Sequence, residues 1–298
     1  MIDFIRWQKF TLGFSASLVL LAILALIIWG ITPGIDFTGG SLLHIRFLDE
    51  RPDVGILEQV IIAQDITEVR VQPSGDNDVF IRLTSLSNNE KEILIESLRE
   101  SYGQIDEKSF SSIGSTIGGE LQKKALIAIG AVLTGIILYI TWAFRKVSAG
   151  PVPAWFYGVG AIIALIHDIL IPLGLYAVLG AYIGLEADTL FITALLTILG
   201  FSVHDTIVVY DRVRENLRKY GNETFSSVMN ISLNETLIRS INTSLTALLV
   251  LGALFLFGGE SIRYFVLVLG IGIAVGTYSS IYIAGPLLVI WARRKGTA

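Results

Sequence analysis

Apolar residues lie in long unbroken runs, not in the alternation of a half-buried sheet or the single stripe of a surface helix. Six runs, 11–31, 125–144, 155–181, 189–210, 241–258 and 264–291, reach the ~17 or more residues with which a helix crosses a hydrocarbon core of ~30 Å. The last is long enough to tilt or to run past the membrane. The first is too long for the core of a signal peptide, and no small-x-small cleavage site follows it, so it reads as a retained span.

The window 34–124 has a different pattern. Residues 36–48 read as a strand, and Pro52 opens a helix carrying Leu57, Val60, Ile61 and Ile62. Residues 67–72 and 79–84 alternate on either side of a turn from Pro73 to Asp78, which predicts a hairpin. Asn88 caps a second helix with Ile93, Leu94 and Leu98 on one face, and 104–112 alternates again. The order βαββαβ is that of a ferredoxin-like split motif, large enough for a small core. The predicted architecture is a membrane protein of six transmembrane α-helices with an inserted α+β ferredoxin-like external domain. Residues 1–32 hold the N-terminus and the first span, 33–123 the external domain, and 124–298 the remaining five spans. Within the last part, 211–240 is expected to be a cytoplasmic amphipathic segment, with Phe225, Val228, Ile231 and Leu237 on its apolar side.

Charge orients this plan. Arg6 and Lys9 precede the first span, and Arg145 and Lys146 follow the second. Arg212, Arg214, Arg218, Lys219 and Arg239 lie between the fourth and fifth, and Arg293, Arg294 and Lys295 end the sixth. An even number of spans puts all twelve on one side, against Arg263 in the two short loops opposite. By the positive-inside rule both termini are cytoplasmic and the inserted domain is outside, at a cell membrane crossed several times. The net charge of −4, made up of −7 in the window 34–124 and +3 in the rest, does not suggest nucleic acid as a partner. There is no cysteine, and hence no disulfide or thiol chemistry. The external domain shows no catalytic constellation; His44, alone on a strand, reads as a surface or interface histidine.

The candidate chemistry lies in the membrane. His167 and Asp168 fall in the middle of the third span, His204 and Asp205 in the inner part of the fourth, and Arg239 at the opening of the fifth. A carboxylate at helix centre costs about 2.5–3.5 kcal/mol on insertion scales, so such groups are functional candidates by default. At ~1.5 Å per residue, Asp205 and Arg239 come to similar depth and are expected to pair, with Asp168 adding a further protonatable step. The plainer readings are a structural Asp205–Arg239 ion pair and packing roles for His167 and His204. A metal site is disfavoured, because adjacent residues on a helix point about 100° apart and the members of each His-Asp pair are not expected to converge. Neither aspartate has the Tyr-Asp or Gly-x-Gly-Asp context of an intramembrane protease, and no GxxxxGK[ST] loop is present.

Five segments in order resemble one family. They are GIDFTGG (34–40), ALIHDILIPLG (164–174), GFSVHDTIVVYDRVREN (200–216), NETLIRSINTSLTALL (234–249) and VGTYSSIYIAGPLL (275–288). Together they are similar to SecF proteins, the protein-export membrane subunits of the SecD/SecF family in the RND superfamily, over nearly the whole chain. The resemblance implies half of a twelve-span RND unit, completed by SecD and working with the SecYEG translocon, SecA, unfolded preprotein and membrane lipid. The implied activity is non-enzymatic and needs no cofactor: the proton-motive force is used to complete preprotein export. Asp205 falls on the family's span-four aspartate, Arg239 on its span-five arginine and Asp168 on the aspartate of its span-three His-Asp pair. Gly34, Asp36, Gly39 and Gly40 form the motif at the entrance to the external domain, where a hinge and simple turn chemistry are equal readings. Two departures stand out. His204 occupies a position usually held by asparagine, and Tyr264 lies near where many members carry an acid. A proton-coupled small-molecule exporter and a structural scaffold for SecD are the rival readings, and carboxylates serve protons and sodium alike.

Overall fold

The computed structural model describes residues 1–144 and 152–295; the basic pair Arg145 and Lys146 lies outside the described residues. In chain order the elements are α1 (Gln8–Ile28), α2 (Ile35–Thr38), β1 (Gly40–Phe47), α3 (Val54–Ile62), β2 (Arg70–Ser74), β3 (Asp78–Leu83), α4 (Asn88–Tyr102) and β4 (Ile105–Ile113). They continue with α5 (Ser115–Phe144), α6 (Ala154–Ile183), α7 (Thr189–Lys219), α8 (Phe225–Phe257), α9 (Glu260–Ser279), a π-helical turn (Ser280–Ala284) and α10 (Gly285–Arg294). Among the described residues six helical stretches are long and apolar enough to cross a membrane: α1, α5, α6, α7, α8 and the continuous α9–π–α10 rod. The chain is a multi-pass membrane protein with an inserted α+β domain. It divides into two compact units, one of Met1–Ile31, Ala128–Leu185 and Leu190–Ala298, the other of Thr32–Ile127 and Glu186–Thr189.

In the inserted unit the sheet is antiparallel, with strand order β2-β3-β1-β4. Its helix-covered face is built from alternate strand residues. Leu43, Ile45, Phe47, Val79 and Ile81 are fully buried with Leu57 and Ile61 of α3 and Leu94 and Leu98 of α4. Ends are set by local chemistry. Asp53 accepts from Gly55 and Ile56 at the start of α3. Ser87, not the expected Asn88, caps α4 in a reciprocal capping box with Glu90. The strand expected from residue 36 begins only at Gly40, because residues 35–38 close a short helical turn first. His44 also departs from expectation. It is 8% exposed, stacked on Phe80 with ring centroids 4.2 Å apart, because the residue opposite it in the β1–β3 register is that aromatic ring.

Beside His44, Arg46 donates to both oxygens of Asp78 at 2.5 and 2.7 Å. That bond holds the Asp78 carboxyl below its ordinary value of 3.8. A lowered native-state pKa means that the pair's contribution is complete above pH 3.8 and drains away as the pH falls below it. Amide protection factors of β3 in the full chain are therefore expected to fall below that pH, and Arg46→Ala is expected to flatten this part of the profile.

In the membrane unit, burial sorts centre from periphery. The most apolar windows of the last rod, α7 and α6 are 61%, 50% and 44% buried, whereas those of α5 and α8 are 6% and 11% buried. Small residues bring α9 against α7: a Cβ at Gly272 would meet Ile198 at 2.2 Å, and one at Gly276 would meet Ser202 at 3.0 Å. The segment expected to form a separate amphipathic piece has no break from the spans. Residues 211–219 finish α7, and residues from Phe225 onward are the opening turns of the 33-residue α8.

Candidate functional site

Two buried carboxylates of the membrane unit stand on different helices, Asp168 on α6 and Asp205 on α7. Asp168 projects from the middle of α6 and is fully buried. Ser202 of α7 and Ser279 of α9 donate their hydroxyls to its Oδ2 at 2.5 and 2.6 Å. His167 Nδ1 lies 2.8 Å from its Oδ1. The expectation that adjacent helical residues would not converge is therefore corrected. Ring nitrogen and carboxylate oxygen each sit two bonds beyond Cβ, and that reach closes the gap between diverging side chains. The imidazole is buried at 4% exposure, stacks on Tyr278 with centroids 6.2 Å apart, and its Nε2 has no hydrogen-bond partner.

Asp205 sits three residues after Ser202 on α7 and is 2% exposed. The neighbouring hydroxyl is that of Thr277 on α9, two residues before Ser279. The Thr277 hydroxyl also meets that of Ser244 on α8. Asp205 Oδ2 is buried with no hydrogen-bond partner. The arrangement is a file of polar groups from α6 through α7 and α9 to α8, within otherwise apolar packing. Ser279 is followed directly by the π-helical turn, and Tyr210 of α7 donates to the carbonyl of Ala284 at the end of that turn at 3.2 Å. Such turns interrupt the regular hydrogen-bond ladder and recur at functional positions.

Arg239 and His204 are not part of this file. Among the described residues no ion pair joins Asp205 to Arg239. Arg239 is exposed and lines a groove of about 550 Å³ with Tyr139, Asp211, Arg212 and Glu235. The α7 residues that share the groove with Arg239 run from Ile207 to Glu215 and do not include Asp205. His204 is exposed on the face of α7 that turns away from the cluster. The hydroxyls Ser202, Thr277 and Ser279 were not singled out from the sequence. The signal was present in TYSS (277–280), a hydroxyl-rich patch in an apolar span, where side chains of this kind find partners on neighbouring helices.

In the inserted unit, the residues of GIDFTGG have strict backbone roles. Gly34 approaches Ala187 so closely that a Cβ would lie 2.9 Å from its carbonyl oxygen. Gly39 has φ +77°, and a Cβ there would stand 2.6 Å from Ser115 Cα. Gly40 is also at positive φ, with its Cβ direction blocked by Leu83 O at 2.8 Å. Asp36 accepts from the amide of Thr189, the first residue of α7, at 2.8 Å. Gly39→Ala is expected to destabilise by about 1–3 kcal/mol, from left-handed strain plus a backbone clash; a thermal midpoint in detergent unchanged from that of the parent would contradict this.

Comparisons with known proteins address the family and the fold. A family model described as "Protein export membrane protein SecD/SecF, C-terminal" matches residues 93–294. The protein translocase subunit SecF of Thermobaculum terrenum is 42% identical, over 99% of this chain and 95% of that protein. The protein translocase subunit SecF of Anaerolinea thermophila is 39% identical, over 93% of this chain and 90% of that one. The crystal structure of SecDF, a translocon-associated membrane protein from Thermus thermophilus, superposes with a TM-score of 0.84 at 34% identity. It matches 98% of this chain, which spans 39% of that longer one. Six membrane helices among the described residues, an inserted split βαββαβ domain and sequence identity over nearly the full length lead to one assignment: the chain belongs to the SecD/SecF family of protein-export membrane proteins.

Proposed function

We propose that this chain is the SecF subunit of the Sec translocation machinery and that, with SecD, it uses the proton-motive force to complete export of unfolded preproteins across the cytoplasmic membrane. The observation that carries the proton step is Asp205, a carboxylate at 2% exposure in a membrane helix, with one oxygen lacking any hydrogen-bond partner. A group of that kind is poorly placed for packing and well placed to take up and release a proton. Moving one charge through 100 mV supplies about 2.3 kcal/mol. Proton arrival neutralises Asp205 beside the Thr277 hydroxyl, which itself meets Ser244, and so changes the contacts among α7, α8 and α9. The Asp168 cluster, one turn away on the same helices, is the adjoining step, with His167 as its imidazole.

The orientation follows from the basic residues: both termini cytoplasmic, the inserted domain outside. The role is that of a transport subunit and not of an enzyme. SecD is the partner that completes the twelve-span unit, and the weakly buried apolar flanks of α5 and α8 support such an assembly. SecYEG, SecA and preprotein are the remaining members of the working complex. Arg239 acts from the cytoplasmic groove in this reading, as an electrostatic neighbour of the pathway and not as the ion-pair partner of Asp205. Gly34, Asp36, Gly39 and Gly40 supply the joint at which the domain meets the membrane spans. The deciding experiment is preprotein release by Asp205→Asn in inverted vesicles with SecD co-expressed.

A further inference from the structure

The inserted unit contains four residues from far along the chain, Glu186–Thr189, which connect α6 to α7. They are held by three independent sets of contacts. The backbone of Ala187 pairs with residues 32–34: Gly34 donates to Ala187 O at 2.7 Å, and Ala187 donates to Thr32 O at 2.8 Å, forming a parallel bridge across Pro33. Asp36 receives the amide of Thr189. Arg82 of β3 gathers the remainder. Its Nη1 donates to Glu186 Oε1 at 2.5 Å and to Pro33 O at 3.2 Å, and its Nη2 donates to Thr38 Oγ1 at 2.7 Å. The Arg82 and Glu186 side chains are 19% and 21% exposed, so the pair is largely shielded from water.

This organisation exceeds what loop closure requires. One guanidinium, fixed on a central strand of the sheet, reaches the loop before span four and the GIDFTGG segment after span one at the same time. Thr189, the last residue of the held segment, is the first residue of α7, and α7 carries Ser202 and Asp205.

We infer that Arg82 and Glu186 form a permanent clasp through which a displacement of span four is delivered to the inserted domain. They are positioning residues for transport and not part of the ion pathway. The inference rests on the proposed use of Asp205 as the coupling group. A fixed salt bridge in a shielded place suits transmission of a displacement, because hydrogen bonds to charged groups resist opening more than neutral ones do. Glycine at position 34 has the same logic, since only hydrogen fits between the two paired backbones.

The test is a charge exchange in the full chain co-expressed with SecD: Arg82→Glu, Glu186→Arg and the two together. Glu186→Gln is a milder variant should either reversal fail to accumulate. Two quantities are read, amide hydrogen exchange at Gly34, Ala187 and Thr189, and preprotein release driven by a proton gradient. Each single reversal is expected to speed exchange at these amides about tenfold or more and to slow release several-fold. The double exchange is expected to restore both. Glu186→Gln is expected to move both in the same direction by less. Faster exchange with unchanged release would overturn the clasp as a coupling element, and so would a release defect that the double exchange fails to repair. Asp205→Asn is run in parallel and is expected to lower release to the parent's rate in the presence of ionophore, with the three amides still protected. Normal release in that variant alone counts against the proton reading and leaves the clasp result to be judged on its own pair.

Discussion

Asp205→Asn is expected to abolish the dependence of preprotein release on the proton gradient while leaving the chain assembled with SecD. Asparagine matches aspartate in shape and keeps an oxygen and an NH2 group with which to meet Thr277. The carboxylate is not held by an ion pair among the described residues, so its replacement strands no partner charge. The fold is therefore expected to tolerate the change, with a stability effect within about 1 kcal/mol. What is lost is the single titrating proton. In inverted vesicles the variant should release preprotein at one rate whether or not a proton ionophore is present, and that rate should equal the parent's in the presence of ionophore. Pull-down with SecD serves as the control for assembly. Release that still accelerates with the gradient would refute the coupling role and favour the scaffold reading.

Asp168→Ala should have a different outcome, a loss of stability. In the parent, one carboxylate receives hydroxyls from α7 and α9 and faces the imidazole of its own helix. Its removal strands the Ser202 hydroxyl and a ring nitrogen in a place that water does not reach, while the Ser279 hydroxyl keeps the Gly276 carbonyl. Each buried group left unsatisfied costs about 1–3 kcal/mol, so the sum is a large part of a typical folding free energy. The thermal midpoint in detergent is expected to fall sharply and the yield with it. Ser279→Ala removes one donor and leaves the carboxylate bound by Ser202, so its cost is expected near 1 kcal/mol. The contrast between the two variants is the measurement. An Asp168→Ala protein as stable as Ser279→Ala would show that the cluster does not tie the three helices together.

Much of this molecule is legible in one dimension. Membrane spans are hard to miss, because a bilayer accepts only segments that satisfy their own backbone and present apolar side chains over a fixed length. The inserted domain is legible for a related reason: strand alternation and helix spacing reflect one buried face, and the hairpin turn lies where Gly75, at φ +64°, allows it. Asp168 and Asp205 stood out because charge in an apolar run is expensive whatever surrounds it. Where local readings failed, the cause was contact. Asp205 and Arg239 looked like a pair because rise per residue gives depth along a span, but it says nothing about which face of α8 the arginine occupies.

The sequence by itself determined the number of spans, the class of the inserted domain, the candidate carboxylates and the family resemblance. All of these depend on composition over a length of chain or on short ordered motifs. Tertiary structure alone decided the partners. Serine and threonine are unremarkable in a helix until a second helix brings a carboxylate within hydrogen-bond reach, as happens to Ser202 and Ser279 at Asp168. The bonding of Arg82 to Glu186, 104 residues apart, was likewise invisible from either residue's neighbours. The physical reason is the same in both cases. Desolvation cost is a property of one residue and its own segment, whereas a hydrogen bond is a property of two residues whose separation is set by every segment packed between them.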